Sequence, residues 1–364
     1  MITTELTTML GIKHPIIQAG MGPWSTTNLC IAVANSGGLG IISTSGLTMG
    51  MIAPQAVEMA AGPGITGTPY EVLKIILGNA TKGVAESKGV IGINCMVSTE
   101  MVISAKELIQ AVIDARNEDP AMRECVRVII TSAGDPLPWA DTIKPSGVKW
   151  LHVIPSVRHA KRCEKAGVDA IIASGHEGGM HVAWEPVHSM VLVPAVVKAV
   201  DVPVIACGGF SDGVSLAAAL AMGADGVQMG TRFIATQESD FVPLWKEQIL
   251  KSGERDTIIA RGIVGPGRYL KNKAAMELAS ITVSKSPGLF MGQADDLATT
   301  APEVLTKEIE GWTAMIEGDT DEALWAGGEV AGRIEDLPKV QELIDITIKE
   351  AEDILLKLPH KVSS

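Results

Sequence analysis

The amino-acid sequence predicts a (β/α)₈ TIM barrel, an α/β fold with an inserted segment after strand 8 and a C-terminal helix, on three observations. Short β-branched runs recur eight times, each followed by a loop and a helical pattern. The runs are apolar almost throughout instead of alternating, as strands buried on both faces of a parallel sheet are. Glycine clusters stand directly after several runs, including the last two. An open doubly wound sheet is the rival arrangement, and eight repeated units favour closure.

The runs read PIIQ (15–18), LGIIS (39–43), VIGINCM (90–96), RVIITS (127–132), KWLHVI (149–154), VDAIIAS (168–174), PVIAC (203–207) and DGVQM (225–229). Helical stretches between them carry start and stop signals. Thr26-Thr27-Asn28 precedes an Ala/Val-rich segment ending at Gly37-Gly38. Ser156 opens a stretch that stops on Gly167, and Ser211-Asp212 opens one that stops on Gly223. After the eighth run the pattern loosens. Residues 236–304 hold helical pieces and the Gly/Pro stretch RGIVGPGRYLKN, with no further barrel strand. They read as an inserted small subdomain within a barrel made of 1–235 and 305–364. Residues 337–358 form an amphipathic helix. The 364 residues exceed the 250 or so of a plain barrel by about such an insertion.

The net charge of −12 and the lack of a basic stripe exclude a nucleic-acid surface. The five cysteines lie far apart with no CxxC pair, which excludes a disulfide framework and a dithiol or zinc site. The N-terminus MITTELTTML has no basic region before an apolar one, and no apolar run reaches the ~18 residues of a span. A cytoplasmic protein with no membrane partner is expected, its assembly open between a monomer and a homodimer.

In such a barrel the chemistry sits on the loops after the strands. Loop 7 reads Cys207-Gly208-Gly209-Phe210-Ser211-Asp212-Gly213 and loop 8 reads Met229-Gly230-Thr231-Arg232. Paired glycine loops let backbone N–H groups face an anion, with a helix dipole expected behind them. A phosphate site is therefore expected there; plain turn glycines are the alternative. Loop 6 reads Ser174-Gly175-His176-Glu177-Gly178-Gly179-Met180-His181. Its glycines admit a flat ligand, and its histidines and carboxylate supply proton-transfer groups. His181 titrating near neutrality would serve as acid or base; His176 is the better candidate for loop packing. Zinc is not expected, because the second histidine falls one residue late for a metalloprotease helix and Gly-Gly would break that helix. Loop 1, Gln18-Ala19-Gly20-Met21, is again glycine-bearing with a polar strand end, and Asn94 interrupts an apolar strand and needs a partner. Gly62-Pro63-Gly64-Ile65-Thr66-Gly67 matches a dinucleotide pattern but follows no strand, so it reads as a loop.

Together PIIQAGM (15–21), SGGLGIIS (36–43), GINCM (92–96), GHEGGMH (175–181), PVIACGGFSDG (203–213), GADGVQMGTRF (223–233) and GDTDEALWAGGEVAG (318–332) resemble the nitronate monooxygenase (2-nitropropane dioxygenase) family. That family includes FMN-dependent enoyl-acyl-carrier-protein and enoyl-CoA reductases, and the likeness spans nearly the whole chain. The resemblance implies FMN with its phosphate on Gly208, Gly209, Gly230 and Thr231. It implies the flavin ring across Gln18, Ala19, Gly20, Met21 and Asn94, beside Gln228 and Met229, with Gly178 and Gly179 against it. His181 becomes the acid/base candidate. One departure stands out: Met180 occupies the position where the family usually has glycine. Two activities follow from the likeness. One is NAD(P)H-dependent reduction of an enoyl thioester, NAD(P)H binding only transiently, and the tail 325–332 leans toward it. The other is oxidation of alkyl nitronates with O₂. A non-redox phosphate-binding barrel is the reading of another class.

Overall fold

The computed structural model describes residues 1–51, 54–295 and 299–361. All eight apolar runs form strands: β1 (Ile16–Gln18), β2 (Gly40–Ser43), β3 (Ile91–Met96), β4 (Val126–Ser132), β5 (Lys149–Ile154), β6 (Ala170–Ser174), β7 (Val204–Cys207) and β8 (Gly226–Met229). Neighbouring strands pair in parallel in the order β1-β8-β7-β6-β5-β4-β3-β2. The ring closes between β1 and β2, where the backbone ladder thins to a bridge between Ile17 and Leu39. Gln18 reinforces that seam with its side chain. Its Nε2 donates to the Ile41 carbonyl at 2.9 Å, and its Oε1 accepts from the Ile41 N–H at 3.1 Å.

The barrel interior is filled by Ile17, Ile41, Val128, Ile130, Leu151, Ile172 and Ile205, and Leu6 and Leu10 of the helix Glu5–Leu10 close its lower end. Each such side chain contributes roughly 1.5–3 kcal/mol by leaving water. A second apolar layer lies between the strands and the surrounding helices. The helix signals hold: Val157–Ala166 ends on Gly167 in a left-handed conformation, and Gly213–Ala221 starts on Asp212, whose carboxylate accepts from the Ser215 N–H. The helix Thr27–Asn35 has no cap from Thr26 itself. Asp240, more than two hundred residues on, accepts from the N–H groups of Asn28 and Leu29 instead.

The segment after β8 differs from its expected looseness. A helix (Pro243–Lys251) leads into an antiparallel hairpin, β9 (Thr257–Gly262) and β10 (Gly265–Leu270), and then into a helix (Lys273–Lys285). The Gly/Pro stretch read as irregular is the hairpin's turn and second strand. Its glycines are required by close packing: a Cβ on Gly262 or on Gly267 would stand under 3.0 Å from the Tyr269 hydroxyl. On its other edge β10 pairs with Met180 and His181 of loop 6, giving a three-stranded sheet over the barrel mouth. The helix Pro302–Glu317 covers this sheet through buried Glu308, which accepts from the Ile263 N–H and, at 3.2 Å, from the Tyr269 hydroxyl. The terminal helix Val340–Lys357 packs so closely on Gly213–Ala221 that a Cβ on Gly213 would stand 2.5 Å from the Thr347 carbonyl. Among the described residues, no helix is long and apolar enough to cross a membrane.

Candidate active site

The C-terminal strand ends and the small sheet enclose one deep cavity. Twelve of the fourteen residues expected to hold the cofactor or act on the substrate line it: Ala19, Gly20 and Met21; Asn94; Gly178, Gly179 and His181; Gly208 and Gly209; Gln228, Gly230 and Thr231. Gln18 and Met229 do not. Gln18 is fully buried at the β1–β2 seam with both ends of its amide bonded to Ile41. Met229 points the other way from Gln228, into the layer beneath the helices, as alternate residues of a strand must. Only its carbonyl serves the site, by accepting from the Ala19 N–H at 2.9 Å.

The glycines fall into two kinds. Gly208, at φ +87°, is required by the protein itself, because a Cβ would lie 2.5 Å from the Gly175 carbonyl oxygen. Gly179 is pressed against Gly327 and Gly328 in the same way, and Gly20 against Asn94. Gly230 is different. A Cβ there would meet only ordinary contacts at 3.5 Å from Ala19 and Met21, so what the missing side chain preserves is cavity space. The helix expected to help hold an anion behind loop 7 is Gly213–Ala221. Its first N–H groups are taken by the carboxylates of Asp212 and Glu350. At loop 8 the Thr231 hydroxyl lines the cavity and accepts from the Gly328 N–H at 3.0 Å.

Gln228 fits a heterocycle with polar edges. It is buried, lines the cavity, and its Nε2 has no hydrogen-bond partner among the described residues. Asn94, also buried, has only a long 3.5 Å contact from its Nδ2 to the Ser132 hydroxyl. Two such amides facing a cavity call for a ligand with donors and acceptors in one plane. A flavin ring has that pattern, and its phosphate suits the loops at Gly209 and Gly230. The residues fit the group.

His181 lines this cavity, and burial pushes its pKa down to about 4. The expectation of titration near neutrality is thereby corrected: desolvation disfavours the imidazolium, and His181 is neutral at pH 7. His176 lies outside the cavity lining and packs edge-on against His188, its N–H donating to the Val187 carbonyl. Glu177 finds a structural task. Its carboxylate accepts from the backbone and hydroxyl of Ser189, tying loop 6 to the start of the helix Ser189–Val197.

The roof of the cavity was not read from the sequence. Phe241, Trp245, Tyr269, Trp312, Leu324 and Val330 line it from the segment after β8. Trp245 is fixed by donating to the Ala326 carbonyl at 2.8 Å and by Phe241, whose ring centroid lies 4.9 Å away. The available signal was the concentration of tryptophan and glycine in 312–328, but nothing local says which cavity those residues reach.

Fold and site together define a barrel whose strand ends line a cavity with glycine loops, two buried amides and a histidine under an apolar roof. The nitronate monooxygenase family model matches residues 3–350. A (3aS,4S,5R,7aS)-5-hydroxy-7a-methyl-1-oxo-octahydro-1H-indene-4-carboxyl-CoA dehydrogenase of Rhodococcus jostii is 30% identical, with 96% of each chain covered. A probable nitronate monooxygenase of Staphylococcus aureus is also 30% identical, over 76% of this chain and 80% of its own. FabK of Thermotoga maritima superposes with a TM-score of 0.76 at 29% identity over 100% of both chains. The chain belongs to the nitronate monooxygenase family, and it is an oxidoreductase of the flavin-dependent kind.

Proposed function

We propose that the protein binds FMN and uses NAD(P)H to reduce an enoyl thioester. The observation that carries this reading is the apolar roof. Phe241, Trp245, Trp312, Leu324 and Val330 line far more apolar surface than a small nitronate needs, and an acyl chain or ring buries against such a wall. The relative named for a carboxyl-CoA substrate is covered along nearly its whole length, which supports the same substrate class. A cytoplasmic setting goes with it, because nicotinamide nucleotides and acyl thioesters are available there.

When bound, FMN supplies hydride chemistry between the nicotinamide and the β-carbon of the substrate. The chain's own residues do the rest. Gly209, Gly230 and Thr231 hold the phosphate, while Gln228 and Asn94 orient the ring through its polar edges. The roof covers the acyl part of the substrate. Neutral His181 keeps an N–H for the thioester carbonyl oxygen, where negative charge develops as the double bond is reduced. That charge favours the imidazolium, so His181 is positioned to take a proton from solvent and hand one to the α-carbon.

The test is an assay of NAD(P)H oxidation under nitrogen with crotonyl-CoA, against O₂ consumption with ethyl nitronate. Thioester-dependent anaerobic oxidation supports the proposal. Nitronate-dependent O₂ uptake with no response to the thioester would replace it by the monooxygenase reading.

A further inference from the structure

A second pocket adjoins the first at the barrel mouth, and three elements run from one into the other. Met96 of β3 lines the main cavity, and Val97, Ser98 and Thr99 directly after it line the second. Ser132 of β4 lines the cavity, and Ala133 and Gly134 line the pocket. Val264, in the hairpin turn, lines both. The turn is thus a partition with a chamber on each side.

The walls of the second chamber point to its occupant. Trp139 and Trp184 line it with indole surface, and the Arg261 guanidinium, also in the lining, lies over the Trp184 ring at 5.2 Å. The Ser98 hydroxyl is buried with no hydrogen-bond partner among the described residues. Ala133 sits at φ +56°, a left-handed conformation that a side chain adopts only under tertiary constraint, so the loop is held in shape at this spot. The charges are acidic and mostly matched: Asp135 is bound by Arg162 at 2.6 Å and Asp295 by Arg261 at 2.5 Å, while Glu100 is exposed at the rim. Such walls disfavour a nucleotide phosphate. They suit a neutral chain with apolar stretches and amides that can bond to Ser98 and the loop backbone.

Resting on the enoyl-thioester reading above, we propose that this chamber takes the pantetheine arm of the substrate. The thioester passes under the Ile263–Val264 turn, and the charged end of the carrier stays outside. CoA and acyl-carrier protein share that arm, so the pocket serves either source.

Thr99 is exposed on the pocket wall, so Thr99→Trp fills the chamber from a surface position without touching the cofactor cradle. Binding of butyryl-CoA, of butyryl-acyl-carrier protein and of butyryl-N-acetylcysteamine, which lacks most of the arm, is measured by calorimetry on flavin-loaded protein. Thr99→Trp is expected to weaken the first two at least about tenfold and the truncated thioester less than about twofold. Loss of the CoA thioester alone assigns the arm's source to CoA, and loss of the protein-borne thioester alone assigns it to the carrier protein. Ser98→Ala is expected to weaken the full-length thioesters by a few fold with an unchanged melting temperature. Unchanged binding of both full-length thioesters in Thr99→Trp, equal weakening of all three, or no thioester binding by the parent protein overturns the proposal. If full-length thioesters bind and Thr99→Trp blocks them but no enoyl thioester is turned over, the channel stands and the proposed reaction falls.

Discussion

Gly267 stands directly across from His181 in the small sheet over the barrel mouth, and the ring of Tyr269 folds back over that glycine. The position of the histidine is therefore set by a strand from the far end of the sequence. A Cβ at Gly267 would lie 2.7 Å from the Tyr269 hydroxyl, which is bonded to buried Glu308. Gly267→Ala is expected to push this trio apart, at about 1–3 kcal/mol in stability as for other overpacked sites. Turnover should fall at least about tenfold as His181 moves off its line to the substrate. Urea unfolding and steady-state kinetics check the two effects separately.

His181→Ala should keep bound flavin and lose at least about a hundredfold in turnover, an effect of order 3 kcal/mol on the barrier. Reduction of the flavin by the nicotinamide in a stopped-flow experiment should survive, because that transfer needs no protein proton. His176→Ala should lose less than about tenfold, since His176 packs outside the cavity. Normal turnover of His181→Ala would place the proton donor elsewhere.

Gly230→Ala should fold normally, for a Cβ there makes only ordinary contacts with the protein, and should weaken the cofactor by the cavity space it takes. Gly230→Asp sets a carboxylate in the cradle expected to hold a phosphate, at a cost of several kcal/mol if desolvated. Purified Gly230→Asp should be folded by circular dichroism and colourless, whereas the parent protein releases FMN on denaturation. FAD or no flavin from the parent would sink the cofactor assignment.

Met180 has φ +55°, the left-handed region that favours glycine, and it is the residue that stands where the family usually has glycine. It lines the cavity and packs against the apolar cluster that includes Tyr269 and Leu278. Met180→Gly relieves about 1–2 kcal/mol of backbone strain while giving up side-chain burial and chain rigidity of similar size. The melting temperature should hardly change. Selectivity should shift toward bulkier acyl groups, read as the ratio of kcat/KM for a branched and a straight-chain thioester.

His152 is buried on β5, its Nδ1 2.6 Å from the Thr131 hydroxyl, and burial lowers its pKa to about 4. Between that value and the ordinary 6.5, the unfolded chain binds a proton that the folded chain refuses. The contribution of His152 to stability is thus fully present above pH 6.5 and is lost as pH falls through this window, by an amount of order 3 kcal/mol at pH 4. Urea unfolding at pH 7 and pH 4.5 should show the loss, and His152→Gln should show less of it. An identical loss in the variant would assign the effect to other groups.

The eight strands and their order of use were legible in the sequence because each is a local apolar run, and burial on both faces leaves no other pattern. So were the loop glycines that line the cavity, since loops 7 and 8 follow their strands directly. The hairpin Thr257–Leu270 was not legible. Its residues serve the close approach of Tyr269 and Glu308 instead of showing an alternating apolar face, and local propensity reads such a stretch as a loop. Gln18 looked like a ligand contact because it is polar at a strand end. Only barrel closure, which brings Ile41 beside it, turns it into a seam. The low pKa of His181 likewise comes from its burial at the cavity, which no local signal in loop 6 shows. The sequence by itself determined the barrel and its glycine loops, whose signals lie within a few residues of one another. The tertiary structure decided which polar side chains face the cavity, what covers it and how the histidine titrates, because each depends on contacts between segments far apart in the chain.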